Sequence, residues 1–92
     1  MIESFKHKGL RLFFEHDDGS RLPAEMLPRI RLILTALDAA NTIQGMNNPL
    51  FKLHPLKGKL RGYWAVTVRA NWRIMFRFEG GMARDVDFVD YH

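Results

Sequence analysis

The sequence predicts an α+β fold, with N-terminal helices packed on one face of a small antiparallel β-sheet. Two patterns indicate it: apolar residues recur at helical spacing in the first half and alternate with polar residues in the second. Helical segments followed by a run of adjacent strands are typical of an antiparallel sheet covered on one side. The 92 residues suffice for one hydrophobic core, so we expect a single domain over residues 1–92.

The first twenty residues predict a short strand, a helix and a turn. Ile2 and Phe5 are apolar, which favours a short edge strand over residues 1–6. Residues 17–20, Asp-Asp-Gly-Ser, then break the helical pattern as a turn. The helix between them, over roughly residues 7–16, is predicted from the helical spacing of Leu10, Phe13 and Phe14.

The clearest helix follows, and two prolines bear on where it begins. Pro23 suits a first helical position. Pro28 is unfavourable inside a helix, so we expect a kink there or a helix that begins near it. Residues 45–49, which contain Gly, two Asn and Pro, end the helical half. The apolar stripe of this helix consists of Ile30, Ile33, Leu34 and Leu37.

The second half predicts three consecutive strands. Gly80-Gly81 is a strong hairpin turn, and Val86 and Phe88 belong to the strand that follows it. The two strands before the turn are predicted from alternating apolar residues, Trp64, Val66 and Val68 in one and Trp72, Ile74, Phe76 and Phe78 in the other. Both tryptophans are assigned to packing rather than to base stacking.

The loop between those two strands leaves two registers open. A three-residue loop over residues 70–72 places Arg69 opposite Arg73, on one face. Like charges directly opposed are unfavourable in a sheet unless they are solvated or bind an anion between them. A two-residue loop over residues 70–71 places Arg73 opposite Val68 instead. We favour the first register.

Composition narrows the functional classes. The formal charge of +4 in so small a domain favours a polyanionic partner. There is no cysteine, so disulfides and thiolate metal sites are excluded. No segment is apolar for long enough to span a membrane, and we expect a cytoplasmic protein without a membrane partner.

Residues 52–73 carry the residue types that RNA chemistry needs. His54 and Lys57 stand on a segment punctuated by Pro and Gly, directly before a hairpin rich in aromatic residues and arginines. Histidine moves protons near neutral pH, and lysine and arginine bind phosphate. The chain ends Asp90-Tyr91-His92, a second cluster of groups that titrate or stack. These features together indicate a small RNA-handling protein, and we interpret it as a ribonuclease.

The same stretches carry a family resemblance. Ser4-Phe-Lys-His-Lys-Gly-Leu10, Lys52-Leu-His-Pro-Leu-Lys-Gly58, Gly62-Tyr-Trp-Ala-Val-Thr-Val-Arg-Ala-Asn-Trp-Arg-Ile74 and the terminal Asp90-Tyr-His92 resemble the HigB toxins of the RelE-like superfamily. The resemblance runs over the whole chain and implies a ribosome-dependent endoribonuclease, an mRNA interferase that cuts mRNA in the ribosomal A site and inhibits translation. It also implies a cognate HigA-like antitoxin with a helix-turn-helix fold.

The resemblance assigns roles to particular residues. It implies that His54 transfers a proton and that Arg73 clamps the phosphate, since a guanidinium meets two phosphate oxygens at once. An ion pair of Arg73 with Asp85 or Asp87 is the structural alternative. The terminal triplet Asp90, Tyr91 and His92 maps onto the family's catalytic ending, and which group is acid and which is base stays open. RNA or phosphate contacts are expected from Lys57, Arg69 and Arg77.

A metal nuclease and two kinds of non-catalytic protein are the alternatives to a metal-independent ribonuclease. A metal nuclease needs clustered carboxylates or paired histidines, and strand alternation directs Asp90 away from Asp85 and Asp87, so neither a metal nor another cofactor is expected. The main alternative is a non-catalytic RNA- or ribosome-binding module that uses the same basic face. A third reading is a protein-interaction partner that folds onto an acidic antitoxin.

Overall fold

A computed structural model describes residues 1–91; the predicted catalytic residue His92 lies outside them. Two helices precede four antiparallel strands, and the sheet order follows the chain, β1-β2-β3-β4. The α+β prediction is therefore confirmed. The helices are α1 (Lys8–His16) and α2 (Leu27–Ala39), and the strands are β1 (His54–Pro55), β2 (Tyr63–Arg69), β3 (Trp72–Glu79) and β4 (Met82–Asp90).

Helix α1 is bounded by a side-chain cap and a left-handed residue. The His7 ring nitrogen Nδ1 accepts a hydrogen bond from the Leu10 amide at 3.2 Å, which satisfies one of the unpaired amides of the first turn. Asp17 ends the helix at a φ of 56°, and its amide bonds back to the Phe13 carbonyl. The predicted helix and the turn after it are confirmed.

Helix α2 begins at Leu27, so Pro28 stands in its first turn, where a missing amide costs no hydrogen bond. The structure thus takes the second of the two outcomes expected for Pro28. Pro23 is not at the start of this helix; it precedes a separate 3₁₀ turn, Ala24–Met26. No helix within residues 1–91 is long and apolar enough to cross a membrane. The predicted stripe is buried at all four positions, Ile30, Ile33, Leu34 and Leu37.

The main core lies between the two helices and one face of the sheet. Strand residues of this face alternate along β2 and β3, as predicted, and Trp64 and Trp72 pack against the core as partly buried side chains. Trp72 stacks on Phe88, with ring centroids 4.7 Å apart and planes 15° apart. The buried strand residues of this core are Val66, Val68, Ile74, Phe76, Ala83, Val86 and Phe88.

The first residues cover the outer edge of β4 without forming a regular strand. Ile2 and Phe5 make isolated parallel bridges to Ala83 and Val86. The predicted edge strand over residues 1–6 is thus reduced to two bridges. These contacts still satisfy backbone groups of β4 that an uncovered edge strand would expose.

The cap at His7 predicts a measurable contribution to stability. His7→Ala removes both the hydrogen bond to the Leu10 amide and the edge-on contact with the Phe88 ring, whereas His7→Asn keeps a capping oxygen. An N-cap contributes about 1 kcal/mol to stability. In urea titrations, the free energy of unfolding of the Ala variant should therefore be about 1 kcal/mol lower than that of the Asn variant. Equal stabilities of the two variants would exclude a capping role.

Candidate active site

Most of the predicted functional residues lie on the sheet face that is turned away from the helices. Residues paired across antiparallel strands share a face. His54 of β1 is paired with Ala65, which is paired with Met75, and Thr67 is paired with Arg73. We call this surface the open face and define it by these residues, His54, Ala65, Thr67, Arg73 and Met75, together with Val89, the partner of Arg73 on β4.

A small apolar cluster forms the floor of the open face. Leu56, Ala65 and Met75 are buried together, apart from the main core. Leu56 follows β1 directly, and its amide donates to the Tyr63 carbonyl at 2.9 Å. This cluster therefore holds the segment that carries His54 and Lys57 against the sheet. Leu60, Tyr63 and Val89 pack around it.

The hairpin between β2 and β3 adopts neither predicted register. Its loop has two residues, because Arg69 is paired with Trp72, but Arg73 is paired with Thr67 rather than with Val68. The reason is an irregularity between Thr67 and Arg69 that inserts one extra residue into β2, a β-bulge. The favoured prediction that Arg69 faces Arg73 is therefore wrong. By register, Arg69 lies beside Trp72, on the helix side of the sheet.

Arg73 is anchored to this hairpin loop. Its Nη1 donates to the carbonyl of Ala70 and, at 3.4 Å, to that of Trp72. Its Nε is buried and has no hydrogen-bond partner within residues 1–91. In the same part of the chain Arg73 forms no ion pair, so the alternative pairing with Asp85 or Asp87 does not occur there. A phosphate at this place would therefore meet no competing carboxylate from residues 1–91.

Arg77 lies four residues farther along β3 in a different electrostatic setting. Its guanidinium is 3.0 Å from a Glu79 carboxylate oxygen and 3.8 Å from one of Asp85. Both pairs are exposed, and such pairs are weak. Arg77 can still contact an anion, but two carboxylates compete for it.

His54 is partly buried, and its ring has a defined hydrogen bond. Nδ1 lies 2.9 Å from the backbone carbonyl of Lys52. A carbonyl oxygen only accepts, so Nδ1 must donate. In the neutral ring the lone pair then belongs to Nε2, which is the nitrogen available to take a proton.

The separation of His54 and Arg73 follows from the register. They lie two strands apart and are displaced by two residues along the strands. With about 4.8 Å between strands and about 3.3 Å per residue, their Cα atoms are about 12 Å apart. Both side chains start from the open face, on either side of Ala65 and Thr67.

Asp90 and Tyr91 lie at the end of the sheet that carries the β2–β3 loop. The Tyr91 amide donates to the Asn71 carbonyl at 2.7 Å, which continues the β3–β4 ladder into the loop that anchors Arg73. Tyr91 is exposed and, by alternation from Val89, lies on the open face. Asp90 is paired with Trp72 and therefore lies on the helix side, with Trp72 between it and Arg69. Tyr91 and Asp90, both predicted to be catalytic, therefore lie on opposite faces of the sheet.

The remaining predicted residue, Lys57, is exposed at the start of the 3₁₀ turn Gly58–Leu60. It follows the buried Leu56, which places it at the β1 border of the open face. Within the described residues 1–91, no group of three His, Asp or Glu side chains is arranged to hold a metal ion.

Two residues near the open face were not singled out from the sequence. The Tyr63 ring has the Lys6 Nζ 5.9 Å and the Arg77 Cζ 6.0 Å from its centroid. Tyr63 stands in a quoted motif, yet its partners are remote in sequence. A strand alternation shared by Tyr63 and Ala65 is the one signal that could have assigned it to this face.

Comparisons with known proteins agree with this fold. The family described as the RelE-like toxin of the type II toxin–antitoxin system HigB matches residues 3–92. The chain is 52% identical to Endoribonuclease HigB of Proteus vulgaris over all of both chains. It is 30% identical to Toxin HigB-1 of Vibrio cholerae, covering all of this chain and 98% of that one.

A solved structure shares the architecture at low sequence identity. The toxin chain matched in the YoeB–YefM toxin–antitoxin complex of Staphylococcus aureus superposes with a TM-score of 0.63. The match covers all of this chain and 98% of that one at 18% identity, which establishes similarity of fold.

The apolar floor gives a stability prediction with a matched control. Leu56→Ala opens a cavity in the cluster with Ala65 and Met75, and should lower the free energy of unfolding by about 2 kcal/mol. Leu50→Ala, at a side chain that is 61% exposed, should change it by less than about 0.5 kcal/mol. Urea titration measures both. If Leu56→Ala lowered the free energy of unfolding as little as Leu50→Ala, the apolar cluster would not hold the His54 segment against the sheet.

Proposed function

The chain belongs to the RelE-like toxins of type II toxin–antitoxin systems, of the HigB type, and on that premise we propose that it is an endoribonuclease. Its substrate is mRNA in the A site of the bacterial ribosome, and its cleavage inhibits translation in the cytoplasm. The relative from Proteus vulgaris, which is 52% identical over the full length, is named an endoribonuclease and supports the activity.

One observation carries the proposal: the open face presents a histidine with an available ring nitrogen near an arginine that has no carboxylate partner in residues 1–91. His54 donates through Nδ1 and leaves Nε2 for the substrate. Arg73 is held by two backbone carbonyls and keeps its charge for an anion. A net charge of +4 attracts the RNA to the protein.

The reaction that these groups suit needs no metal. The ribose 2′-oxygen attacks the adjacent phosphorus while a base takes its proton, and the bond from phosphorus to the 5′-oxygen breaks as an acid protonates that oxygen. The products are a 2′,3′-cyclic phosphate and a 5′-hydroxyl. Acid–base assistance contributes roughly 10²–10⁴ to such a rate, and a donor at the developing charge about 10²–10³.

Position on the open face supports the roles of His54, Arg73 and Tyr91, whereas those of Asp90, which lies on the helix side, and of His92 rest on the family resemblance. We assign proton transfer to His54 and, with it, to Asp90 and His92, and leave acid and base unassigned among them. Arg73 stabilises the charge on the phosphate, and Tyr91, exposed beside the hairpin loop, stacks on a base. Lys57 and Arg77 contact flanking phosphates at the open face, and Arg69 contacts one from the helix side of the β2–β3 loop.

An antitoxin is the second partner. Membership in a toxin–antitoxin family supports it, as does the fold shared with a toxin from a toxin–antitoxin complex. We propose that it is a HigA-like protein with a helix-turn-helix fold. It should co-purify with the toxin when both are expressed together.

The proposed function predicts a dependence on the ribosome, and the proposed chemistry a dependence on the 2′-hydroxyl. A defined mRNA should be cut only when it is bound to ribosomes, and a single 2′-deoxy substitution at the cut position should abolish that cut. The cut fragment should end in a 2′,3′-cyclic phosphate, detected by mass spectrometry. Cleavage of the 2′-deoxy substrate would instead indicate direct attack by water and contradict this mechanism.

The roles of His54 and Arg73 predict a split between cleavage and binding. His54→Gln should lower the single-turnover rate on ribosome-bound mRNA by about 10²–10⁴ and Arg73→Ala by about 10²–10³, with binding to ribosomes retained. Arg77→Ala is the matched control, because Arg77 lies on the same strand but is paired with carboxylates. It should mainly weaken binding in a salt-dependent way.

The alternative, a non-catalytic RNA- or ribosome-binding module, predicts a different outcome. It gives salt-dependent binding without any cut in the wild-type protein, and no sensitivity to His54→Gln or to removal of His92. A loss of binding together with cleavage in the His54 variant would contradict the role assigned to His54.

A further inference from the structure

The segment that leads into β1 contains a β-bulge at Lys52. His54 is paired with Ala65, so a regular ladder would bring the Lys52 carbonyl opposite the Thr67 amide. The Thr67 amide instead donates to the carbonyl of Phe51, at 2.7 Å. One residue is therefore inserted between Phe51 and His54, and Lys52 takes it up at a φ of 52°, in the left-handed region.

The bulge changes the acceptor that the ladder uses. Because Phe51 supplies the carbonyl for Thr67, the carbonyl of Lys52 is released from the sheet. It accepts a hydrogen bond from the His54 ring, with Nδ1 at 2.9 Å. The same backbone distortion thus separates Lys52 from the ladder and gives His54 its ring partner.

We propose that Lys52 is a positioning residue: its left-handed backbone turns its carbonyl onto His54 Nδ1, fixes the Nδ1–H tautomer and presents Nε2 to the RNA. The proposal concerns the backbone of Lys52 and not its amino group. It rests on the proposed function only in its consequence for cleavage, since the tautomer is a property of the folded protein alone.

A second histidine gives an internal contrast. His7 Nδ1 accepts from the Leu10 amide at 3.2 Å, so the neutral His7 ring must carry its proton on Nε2. The structure therefore requires opposite tautomers at His7 and His54 in one molecule. A free imidazole exchanges between the two tautomers. Observing one fixed tautomer at His7 and the opposite one at His54 would therefore show that both ring hydrogen bonds are formed.

Two substitutions separate the backbone of Lys52 from its charge. Lys52→Gly removes the amino group but keeps a residue that adopts positive φ freely. Lys52→Val also removes the amino group, and its branched side chain opposes positive φ. A difference between these two variants therefore arises from the backbone conformation.

The experiment is nitrogen NMR of the ring nitrogens in uniformly ¹⁵N-labelled protein at alkaline pH, where imidazole rings are neutral. His54→Gln and His7→Asn assign the signals, and circular dichroism verifies that each variant is folded. We expect the proton of His54 on Nδ1 and that of His7 on Nε2 in the wild type. Lys52→Gly should keep the His54 pattern, and Lys52→Val should lose it.

Cleavage of ribosome-bound mRNA supplies the second readout. Lys52→Val should cut about tenfold more slowly than Lys52→Gly, part of the roughly 10²–10⁴ that acid–base assistance provides. A wild-type His54 with its proton on Nε2 would overturn the proposal, as would a Val variant that keeps both the tautomer and the rate of the Gly variant. If the wild type shows the expected tautomers but cuts no RNA, the proposed function fails while the positioning of His54 stands.

Discussion

The structure depends on the two unlike faces of the β2–β3 hairpin. Successive residues of a strand point to opposite sides, so one set, Val66, Ile74 and Phe76, closes the core beneath the helices. The intervening set, with Ala65, Arg73 and Met75, forms the open face. A register slip by one residue would exchange the two sets and bury a guanidinium. The burial of the first set therefore fixes where the second set, and with it the candidate chemistry, is presented.

Departures from regular strand pairing determine where the candidate functional side chains lie on the sheet. One extra residue near Val68 moves Arg73 opposite Thr67 and sends Arg69 to the helix side. Another, at Lys52, releases the carbonyl that holds the His54 ring. A third irregularity, where Asp85 has a φ of 53°, lies opposite the stretch of β3 between Met75 and Arg77. The regular ladder thus supplies the paired strands, and the irregular positions determine where particular side chains lie on them.

The apolar periodicity and the composition of the sequence predicted the helices and the hairpin strands. The sequence did not predict the local departures from regular strand pairing. The α+β class, both helices and the strands of the hairpins follow from apolar spacing, and Pro28 and Gly80-Gly81 marked boundaries. The bulges at Lys52 and Asp85 did not follow, because these residues adopt positive φ without being glycine, and the bulge near Val68 has no glycine or proline to mark it. Pro23 was misplaced because a 3₁₀ turn intervenes before α2. The family resemblance, which the comparisons confirm, named the candidate residues, and their catalytic roles stay predictions.

We propose that RNA is cut on the open face, between His54 and Arg73. The most direct measurement is cryo-electron microscopy of the protein on a ribosome programmed with an mRNA whose 2′-hydroxyl at the cut position is methylated, which blocks the attack. If RNA is cut on the open face, the uncut phosphodiester lies over Ala65 and Thr67, with His54 Nε2 and the Arg73 guanidinium within hydrogen-bond distance of it. An mRNA that follows the helix side of the sheet, with the open face turned to solvent or to ribosomal protein, would contradict the account.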